Sequence, residues 1–498
     1  MKTISELIKN KPLYGWLLFF ATMLIVFLLG LLASSVIERR AEAVFAYNAN
    51  VKIDNFEPRN EVWGNSFPKQ FQSYYQTSDT SFASEFGGNA TKDILKEEPS
   101  LVILWAGYGF SREYKQGRGH FYAIEDIRNI LRTGAPNKER EGLQPSTCWT
   151  CKSPDVPRVM AEIGIAKFYS LKWDELGSEI VNTIGCSDCH DPKTMNLRIT
   201  RPALVEAFEN QGKDINKASH QEMRSLVCAQ CHVEYYFDKK KIEGASYLTF
   251  PWSNGTSVEQ IEQYYDKIEF SDWTHALSRA PMLKAQHPDY EVFLTGIHAQ
   301  RGVACADCHL PYMSEGGQKY TNHKIQSPLN NISQTCQVCH RESEETLKQN
   351  VLERQRKVSE IKIKLEQLLA IVHIEAKTAW DKGAKEEDMK PILKLIRQAQ
   401  WRWDYAAAGH GNSFHSPVET SRIIFHGLDK AQEARLQLYK VLTKLGVNSV
   451  EIPDITSKEK AQKYIGLDIA KLQKEKDEFK KTVIPEWIIK AKERESKY

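Results

Sequence analysis

The chain has 498 residues, of which 41% are hydrophobic and 26% are charged, a composition typical of a folded protein with two or three domains. Its formal net charge is only +3, so the charge balance indicates no polyanionic partner and excludes the strongly basic signature of a nucleic-acid-binding protein.

The N-terminal segment, residues 1–40, predicts export or membrane insertion. Three lysines precede an uncharged stretch at 13–37, and Glu-Arg-Arg follows it at 38–40. About 20 apolar residues cross a bilayer as a helix, so the stretch is long enough to span. A cleaved signal would have a shorter apolar region of roughly 7–15 residues, with Ala-Ser-Ser at 33–35 as a cleavage site. Both alternatives export the chain that follows, and a retained anchor is the preferred interpretation.

All ten cysteines fall into five Cys-x-x-Cys pairs, and a histidine follows directly in four of them. Cysteine makes up about 2% of the chain, so chance would give roughly 0.2 such pairs. Cys-x-x-Cys-His is the attachment motif of c-type haem, in which two thiols form thioethers and the histidine reaches the iron. The complete motifs are Cys186/Cys189/His190, Cys228/Cys231/His232, Cys305/Cys308/His309 and Cys336/Cys339/His340.

Other uses of these cysteines explain the pattern less well. Zinc ribbons combine two Cys-x-x-Cys units but do not need a histidine after each pair. A thioredoxin-like motif occurs once, and short disulfide loops leave the histidines unexplained. The four motifs therefore predict covalent haems in a multi-haem cytochrome. A haem held by two thioethers needs no deep pocket of its own, so a small amount of chain can carry many of them.

The first pair, Cys148 and Cys151, is followed by Lys152 where a histidine is expected. An unrelated redox dithiol and a degenerate haem site with a ligand from elsewhere are alternatives, but the neighbouring motifs favour a fifth haem. Lysine binds iron only as the neutral amine, a form that burial beside a positive iron favours. Because an amine differs electronically from imidazole, this ligand points to a haem that performs chemistry.

The number of histidines in the chain permits one haem whose iron has an open coordination position. The chain has 14 histidines, and four of them are motif ligands, which leaves ten. A low-spin electron-transfer haem usually takes two strong axial ligands, so four further histidines would complete four such haems. The fifth haem could then keep an open position, as catalytic metal sites do.

The elements predicted outside the motifs are helices. Between the motifs the chain is loop-rich, with short helices expected around 155–170 and 202–210, because covalent haems would replace much of the side-chain core. Beyond the last motif an apolar stripe with 3-4-3-4 spacing predicts a long amphipathic helix. Pro391 and the Gly409–Gly411 turn are expected to separate further helices, and a charged helix is expected from about 457 to 497. The stripe consists of Val358, Ile361, Leu365, Leu368 and Val372.

These patterns predict a mainly α protein: a multi-haem cytochrome c with a loop-rich, haem-packed core and long C-terminal helices. Three regions are expected. Residues 1–40 form a signal peptide or membrane anchor, and residues 41–345 form a pentahaem catalytic region. Residues 346–498 form a helical region that completes the haem core.

The order of one Cys-x-x-Cys-Lys motif and four Cys-x-x-Cys-His motifs resembles the ammonia-forming cytochrome c nitrite reductases, which are pentahaem enzymes. The resemblance runs from about Trp63 to His415 and beyond. Local matches support it: Arg-Gly-His at 118–120, Leu-Arg-Thr-Gly-Ala-Pro at 131–136, Cys-Ala-Gln-Cys-His-Val-Glu-Tyr-Tyr at 228–236 and Lys-Ala-Gln-His at 284–287.

The resemblance implies the six-electron reduction of nitrite to ammonium at the lysine-ligated haem, fed by four bis-histidine haems. Nitrite would bind opposite Lys152, on a face lined by Arg132, Tyr235 and His287. Arg132 offers a permanent charge and a planar donor fork to the anion, and His287 can donate protons near neutral pH. The implied distal ligands are His120 for the third haem, His323 for the second, His415 for the fourth and His298 for the fifth.

The resemblance also implies one calcium ion beside the active site. Its ligands would be Glu234, the backbone carbonyls of Tyr235 and Lys284, and the side-chain carbonyl of Gln286. All are oxygens, as a hard cation prefers. Without the family, one glutamate and one glutamine about fifty residues apart would not suggest a site.

The partners implied by the resemblance are nitrite, a membrane-bound quinol-oxidising cytochrome as electron donor, and a second copy of the chain. In the resembled family the long C-terminal helices form a homodimer interface, whereas the spacing of the stripe alone favours packing within one subunit. The implied location is the periplasm, with a possible tether to the inner membrane through residues 1–40. No nucleic-acid partner is expected.

Two other functions stay open on the sequence alone. A pure electron-transfer cytochrome would need a sixth ligand on every haem. A related enzyme would act on hydroxylamine, sulfite or another small nitrogen or sulfur compound.

Overall fold

The computed structural model describes residues 9, 11–45, 52–137, 144–315 and 317–497. The chain divides into two compact units: residues 1–52 with 314–319, and residues 53–313 with 320–498. The second unit holds all five cysteine motifs together with the C-terminal helices.

The first unit contains one long helix, Pro12–Phe45. Its apolar part, Pro12–Ile37, has 26 residues and a mean hydropathy of 2.6, and none of its most apolar window is buried. At about 1.5 Å per residue this part exceeds the roughly 30 Å hydrocarbon core of a bilayer. Its length and composition therefore permit a membrane span, and a signal sequence passes the same test.

The second unit is built mainly from helices, which confirms the mainly α prediction. The α-helices before the last motif are short, whereas most of those described after it exceed twenty residues. The helices are Asn60–Gly64, Pro68–Tyr75, Ile94–Glu97, Ser100–Leu104, Ala123–Asn129, Asp155–Ile163, Ile165–Ser170, Cys186–Cys189, Pro202–Asn210, His220–Ala229, Val258–Lys267, Asp289–Leu294, Ile297–Gln300, Cys305–His309, Ile332–Thr335, Glu344–Asp381, Glu386–Ala408, Asn412–His415, Pro417–Lys444, Lys458–Tyr464 and Ile469–Glu495.

The strands form three two-stranded pairs among the residues described. Tyr236–Asp238 runs antiparallel to Tyr247–Thr249, with Phe237 opposite Leu248. Trp273–Thr274 runs antiparallel to Pro281–Met282. The third pair joins Tyr312–Glu315 to Gln318–Thr321. These strands add local pairing next to the motifs without building a larger sheet.

A glycine separates neighbouring helices at two places. The short helices expected around 155–170 are Asp155–Ile163 and Ile165–Ser170, with Gly164 at a φ of 86° between them. The charged helix expected over 457–497 is likewise divided, with Gly466 at a φ of 77°. Side chains rarely adopt such φ values, so glycine ends a helix at these positions. The short helices expected around 155–170 are therefore confirmed, whereas the prediction of one continuous helix over 457–497 was wrong.

Of the other predicted helix boundaries, some agree with the structure and one does not. Pro202–Asn210 coincides with the helix expected there. The Gly409–Gly411 turn separates two helices, whereas Pro391 lies inside Glu386–Ala408 instead of ending a helix. Because Pro391 follows only five helical residues, its missing N–H removes a hydrogen bond near the first turn, where the cost is small.

The C-terminal helices pack closely around the predicted stripe. Val358, Leu365 and Val372 are buried in Glu344–Asp381. Gly427 of Pro417–Lys444 lies against Leu365 so closely that a Cβ at this position would come within 2.6 Å of Leu365 Cδ2. This close approach lets the two helices share one apolar core, and the amphipathic helix predicted from the stripe is confirmed.

Candidate haem centres and active site

A single helical turn shapes each haem motif. The backbone N–H of His190, His232 and His340 donates to the carbonyl of the first cysteine of its own motif, at 2.9–3.0 Å. Cys305–His309 is helical throughout. Residues four apart in a helix lie on one side, so the turn brings the first thiol and the histidine to the same face. None of the ten cysteines, all of which lie in the part described, forms a disulfide.

Cys339 differs from the other nine cysteines in its exposure. The sequence gives all ten the same role and predicts a haem-packed core around them, and nine are half-buried, but Cys339 is exposed. His340, the next residue, is also about half exposed. The second thiol of the fifth motif therefore lies at the surface instead of in the core. Two thioethers can hold a haem without a deep pocket, so haem attachment at Cys339 stays a prediction. The exposure of Cys339 adds that one edge of this haem would be accessible to solvent.

Each motif histidine faces a second histidine across a gap. The ring centres are 6.1–6.4 Å apart in all four pairs, too far for direct contact. An imidazole nitrogen binds a metal at about 2.0–2.1 Å and its ring centre lies about 1.1 Å further, so two rings on one iron lie roughly 6.3 Å apart. The spacing therefore fits a haem iron between the rings. The pairs are His190 with His323, His232 with His120, His309 with His415, and His340 with His298.

These are the same pairs that the resemblance implies for the second to fifth haems. The interplanar angles fall into two groups. The rings are tilted by 43° and 45° in the second and third pairs, and by 80° and 77° in the fourth and fifth.

The thiols of different motifs lie next to one another, which sets the order of the motifs in space. The third motif has neighbours in the first, second and fourth motifs, and the fourth also has one in the fifth. The third motif is therefore central among the five. The thiols concerned are Cys151 with Cys231, Cys189 with Cys231, Cys228 with Cys305, and Cys308 with Cys336.

Arg132 reaches the first motif from a short 3₁₀ turn, Leu131–Thr133. Its guanidinium lies 4.2 Å from the centre of the Phe110 ring, a cation–π contact that fixes its direction. Its carbonyl lies 3.5 Å from the Gln144 amide, whose oxygen lies 3.5 Å from the Cys148 sulfur. Arg132 is thereby held beside the first cysteine of the lysine motif.

Tyr235 and His287 lie together near the same motif, with ring centres 6.2 Å apart. Burial, and then the charges of Lys152 and His232, lower the pKa of His287 well below its ordinary value. The His287 Nδ1 atom is buried and makes no hydrogen bond to the described part of the chain. Burial, with Cys151 and Cys148 nearby, raises the pKa of Tyr235 well above its ordinary value. The structure thus gathers the three predicted active-site side chains around the lysine motif.

Hydrogen bonds also join the residues predicted to bind calcium. Glu234 Oε2 accepts from the Gln286 backbone N–H at 2.7 Å, and Gln286 Nε2 donates to the Lys284 carbonyl at 3.1 Å. Burial raises the pKa of Glu234 well above its ordinary value, so a cation would offset the cost of burying its charge. No group of three His, Cys, Asp or Glu side chains in the described residues could hold a metal, so a cation here would depend on carbonyl oxygens.

The buried Lys284 side chain joins this region to a C-terminal helix. Its Nζ lies 2.7 Å from Asp404 Oδ1, and both side chains are almost fully buried. The backbone N–H of Lys284 donates to Asp272 Oδ2 at 2.8 Å. This hydrogen bond helps to fix the backbone that carries the Lys284 carbonyl. Lys284 Nζ also lies 4.9 Å from the centre of the Phe110 ring, the ring that Arg132 contacts.

Two residues that sequence reasoning missed support the site. The Asp289 carboxylate lies 3.4 Å from His232 Nδ1. Burial would raise the pKa of Asp289, but the hydrogen bond with His232 and its charge lower it to about 2. Lys476, from Ile469–Glu495, is buried beneath the Arg132 turn and donates to the Arg128 carbonyl at 2.9 Å, the Thr133 hydroxyl at 3.3 Å and the Gly134 carbonyl.

The chain matches a known protein family over most of its length. The model of the family described as cytochrome c552 matches residues 59–496. The chain belongs to the cytochrome c552 family. This membership confirms the resemblance and makes the chain a c-type cytochrome.

Curated relatives of this family member match over almost their whole length. Cytochrome c-552 from Bacteroides fragilis is 60% identical over 486 residues, covering 97% of this chain and 98% of the relative. Cytochrome c-552 from Porphyromonas gingivalis is 58% identical over 487 residues, covering 97% of each. Cytochrome c-552 from Aliarcobacter butzleri is 46% identical over 482 residues, covering 96% of this chain and 95% of the relative.

A solved structure shares the fold of this family member. It is the catalytic subunit of cytochrome c nitrite reductase from Desulfovibrio desulfuricans, which is described as having two calcium sites. Its TM-score is 0.74 at 32% identity, covering 85% of this chain and 91% of that one.

Proposed function

We propose that this cytochrome reduces nitrite to ammonium at a haem attached to Cys148 and Cys151, with Lys152 as its proximal ligand. The observation that carries the proposal is the difference between the first motif and the others. Each motif histidine has a second histidine opposite it, whereas the side chains gathered near Lys152 are Arg132, Tyr235 and His287. The similarity to a cytochrome c nitrite reductase supports the same substrate.

The proposed chemistry needs an electron source, a site for an anion and a supply of protons. A haem bound here would supply electrons through its iron. Arg132 would bind the anion through its positive charge and planar donor fork, and Phe110 holds its guanidinium in one direction. Because burial holds the pKa of His287 low, its ring would be neutral at rest and would take up a proton only as negative charge develops beside it; the Tyr235 hydroxyl would relay protons as each oxygen leaves as water.

The remaining motifs would hold four bis-histidine haems, using the His190–His323, His232–His120, His309–His415 and His340–His298 pairs. The ring spacing supports this ligand set, and the thiol neighbours support a path from the fifth motif through the fourth and third to the first. The second motif lies beside the third. The exposure of Cys339 supports the fifth motif as the outer end of this path, where a donor could approach. Such a path would deliver the six electrons that one iron cannot store.

Calcium would bind at Glu234, the carbonyls of Tyr235 and Lys284, and the Gln286 side chain. Three of these residues are already linked by hydrogen bonds, and a buried carboxylate among carbonyls suits a hard cation. The calcium sites of the Desulfovibrio enzyme support this assignment. A cation here would favour an anion nearby and lower the cost of burying Glu234.

The chain would act in the periplasm as a homodimer, fed by a membrane-bound quinol-oxidising cytochrome. Phe425, Leu436 and Tyr439 are more than half exposed on Pro417–Lys444, and apolar side chains of this size are typical of an interface. The helix Pro12–Ile37 supports an N-terminal anchor. The division of the chain into three functional regions, 1–40, 41–345 and 346–498, stays a prediction.

The deciding experiment measures nitrite-dependent oxidation of reduced viologen by the purified holoprotein, with ammonium quantified. We expect ammonium in proportion to the viologen oxidised, at six electrons per nitrite. Nitrite consumption without ammonium would defeat the proposal. A resting spectrum with all haems low-spin would favour an electron-transfer cytochrome, and faster turnover of hydroxylamine or sulfite would favour a related enzyme.

The role of Lys152 is tested separately by Lys152→His. The variant should keep the covalent haem, because both thiols remain, but the haem should have a different potential and a lower nitrite turnover. Haem content, the potential and the steady-state rate are the measurements. An unchanged rate with the haem retained would show that lysine is not needed.

A further inference from the structure

The motif histidines differ in what their second ring nitrogen contacts. His190 Nδ1 lies 2.9 Å from the Met195 carbonyl, and His309 Nδ1 lies 2.9 Å from the Gln326 carbonyl. These partners are neutral backbone groups. His232 Nδ1 instead faces a carboxylate, Asp289 Oδ2, at 3.4 Å.

The position of Asp289 is fixed by the backbone around it. Its N–H donates to the His287 carbonyl at 2.6 Å, and the next residue, Tyr290, donates its N–H to the His232 carbonyl at 3.1 Å. Asp289 Oδ1 lies 3.5 Å from the Gly411 N–H, and the side chain is only 16% exposed. His232 is thus held at its ring and at its backbone by consecutive residues.

A carboxylate partner changes the ligand as well as orienting it. When a ligating imidazole donates its other N–H to a carboxylate, the ring becomes more basic and donates more electron density to the metal. A nearby negative charge further stabilises ferric over ferrous iron, which lowers the reduction potential. A neutral carbonyl exerts both effects more weakly, so the third haem should differ from the second and fourth.

We infer that Asp289 is a positioning residue that sets the potential of the third haem below that of the second and fourth haems. The inference rests on the proposed function, because it takes His232 as a haem ligand. The third motif has thiol neighbours in the first, second and fourth motifs. A low potential at that haem gives an electron on it a larger driving force towards the haem of the lysine motif.

The test is the substitution Asp289→Asn in the holoprotein, which keeps the shape and a hydrogen-bond acceptor but removes the charge. We expect the potential of one of the five haems to rise, with its ferric-to-ferrous equilibrium constant changed at least tenfold, or about 59 mV for one electron. The measurement is a spectroelectrochemical titration, with electron paramagnetic resonance to follow the low-spin haems. Asp289→Glu should restore most of the wild-type potential.

The matched control is Glu342→Gln at the fifth motif. Glu342 Oε2 lies 3.9 Å from His340 Nδ1, and both side chains are about half exposed. At this distance and exposure the carboxylate is screened by solvent, so the fifth haem should shift much less than the third shifts in Asp289→Asn.

Three results would overturn the inference: five unchanged potentials in Asp289→Asn, a uniform shift of all five, or an equal shift in Glu342→Gln. Each presupposes a wild-type protein with five haems, four of them low-spin with two histidine ligands. If the wild type lacks that set, or forms no ammonium from nitrite, the proposed function itself has failed. The two failures are therefore distinguishable before any variant is made.

Discussion

In the motif region, residues 148–340 with their distal partners, paired histidine rings lie 6.1–6.4 Å apart and do not touch. Beside the C-terminal helices, the His275 and His373 rings are stacked at 3.7 Å. The stacked pair is also tied by ordinary hydrogen bonds. His373 contacts the Ser278 hydroxyl at 2.9 Å and the Gln400 side chain at 2.7 Å, and His275 Nε2 lies 2.8 Å from the Ile103 carbonyl.

The difference separates histidines spaced to share a metal from histidines that complete a protein core. A gap of about 6.3 Å has room for a metal, so under the proposed function order in the motif region would depend on its cofactors. The stacked pair satisfies its polar atoms with protein groups, so it joins the His275 loop to the C-terminal helices without a metal. The two regions should therefore respond differently to substitution.

The largest expected effect is on catalysis, from His287→Asn. His287 is the buried histidine near Lys152 that belongs to neither kind of pair, so its loss should remove a proton donor and leave both regions folded. We expect nitrite turnover to fall roughly 10²–10⁴-fold. The checks are the steady-state rate, haem content and melting temperature. A fully active variant would remove His287 from the mechanism, and loss of haem would make it structural.

The next effect is on stability, from Leu365→Ala in the C-terminal core. Leu365 is fully buried against Gly427, so the truncation should leave a cavity and lower the free energy of unfolding by about 2–5 kcal/mol. The visible haem spectrum should not change. Val418→Ala, at a position that is 83% exposed, is the control and should have little effect. Altered haem ligation in Leu365→Ala would mean that the two regions are not separable.

A smaller effect should appear with acid. Burial lowers the pKa of His373 to about 4, so the folded state resists its protonation while the unfolded state binds a proton below about pH 6.5. Stability is therefore unaffected above that pH, falls as the pH drops towards 4, and levels off below it. At pH 5 the loss from His373 should be about 2 kcal/mol.

Unfolding of wild type and His373→Gln, measured from pH 7 to pH 5, tests this expectation. The variant should lose less stability over that interval even if it is less stable at pH 7. Parallel curves for the two proteins would show that protonation of His373 does not contribute.

The smallest effect should come from the partly exposed ion pair between Lys458 and Asp93, which are 2.7 Å apart. Solvent screens such a pair, so Lys458→Gln should lower the free energy of unfolding by about 0.2–1 kcal/mol without altering nitrite turnover. Chemical denaturation gives the value. A loss as large as that of Leu365→Ala would show that solvent does not screen this contact.

The sequence predicted the parts of the molecule that depend on local patterns. The cysteine motifs predicted covalent haems, and the stripe through Leu365 predicted a long amphipathic helix. The break at Gly466 was missed, because a helical pattern continues through it and only the backbone conformation ends the helix. Asp289 was missed because its partner His232 lies 57 residues away and no short motif links a carboxylate to a haem ligand.

The spacing of the cysteine motifs also did not predict how far each cysteine is buried. Cys339 has the same local sequence role as the second cysteine of every other motif, yet it is exposed where the others are half-buried. Its exposure depends on how the fifth motif packs beside the start of Glu344–Asp381, and a local pattern does not record that packing.

The calcium residues show a further limit of the sequence. Glu234 and Gln286 are 52 residues apart, and neither is part of a recognisable metal motif. Their proximity follows from the fold around the third motif, so only family resemblance suggested it in advance. The distal histidines depended on the same resemblance, because their separation in sequence from the motifs follows no fixed rule.

The Lys476 contact links the turn of Arg132 to the order in which the chain is made. Gly134 and Lys476 are 342 residues apart, so this turn gains the Lys476 hydrogen bonds only after all five cysteine motifs have been synthesised. A chain ending before that lysine would carry every haem motif and every histidine partner but not the contact beneath Arg132. Under the proposed function, such a truncated product would keep its haem motifs but lack a properly held anion site. Correct placement of Arg132 would then depend on a helix that is synthesised after every haem motif.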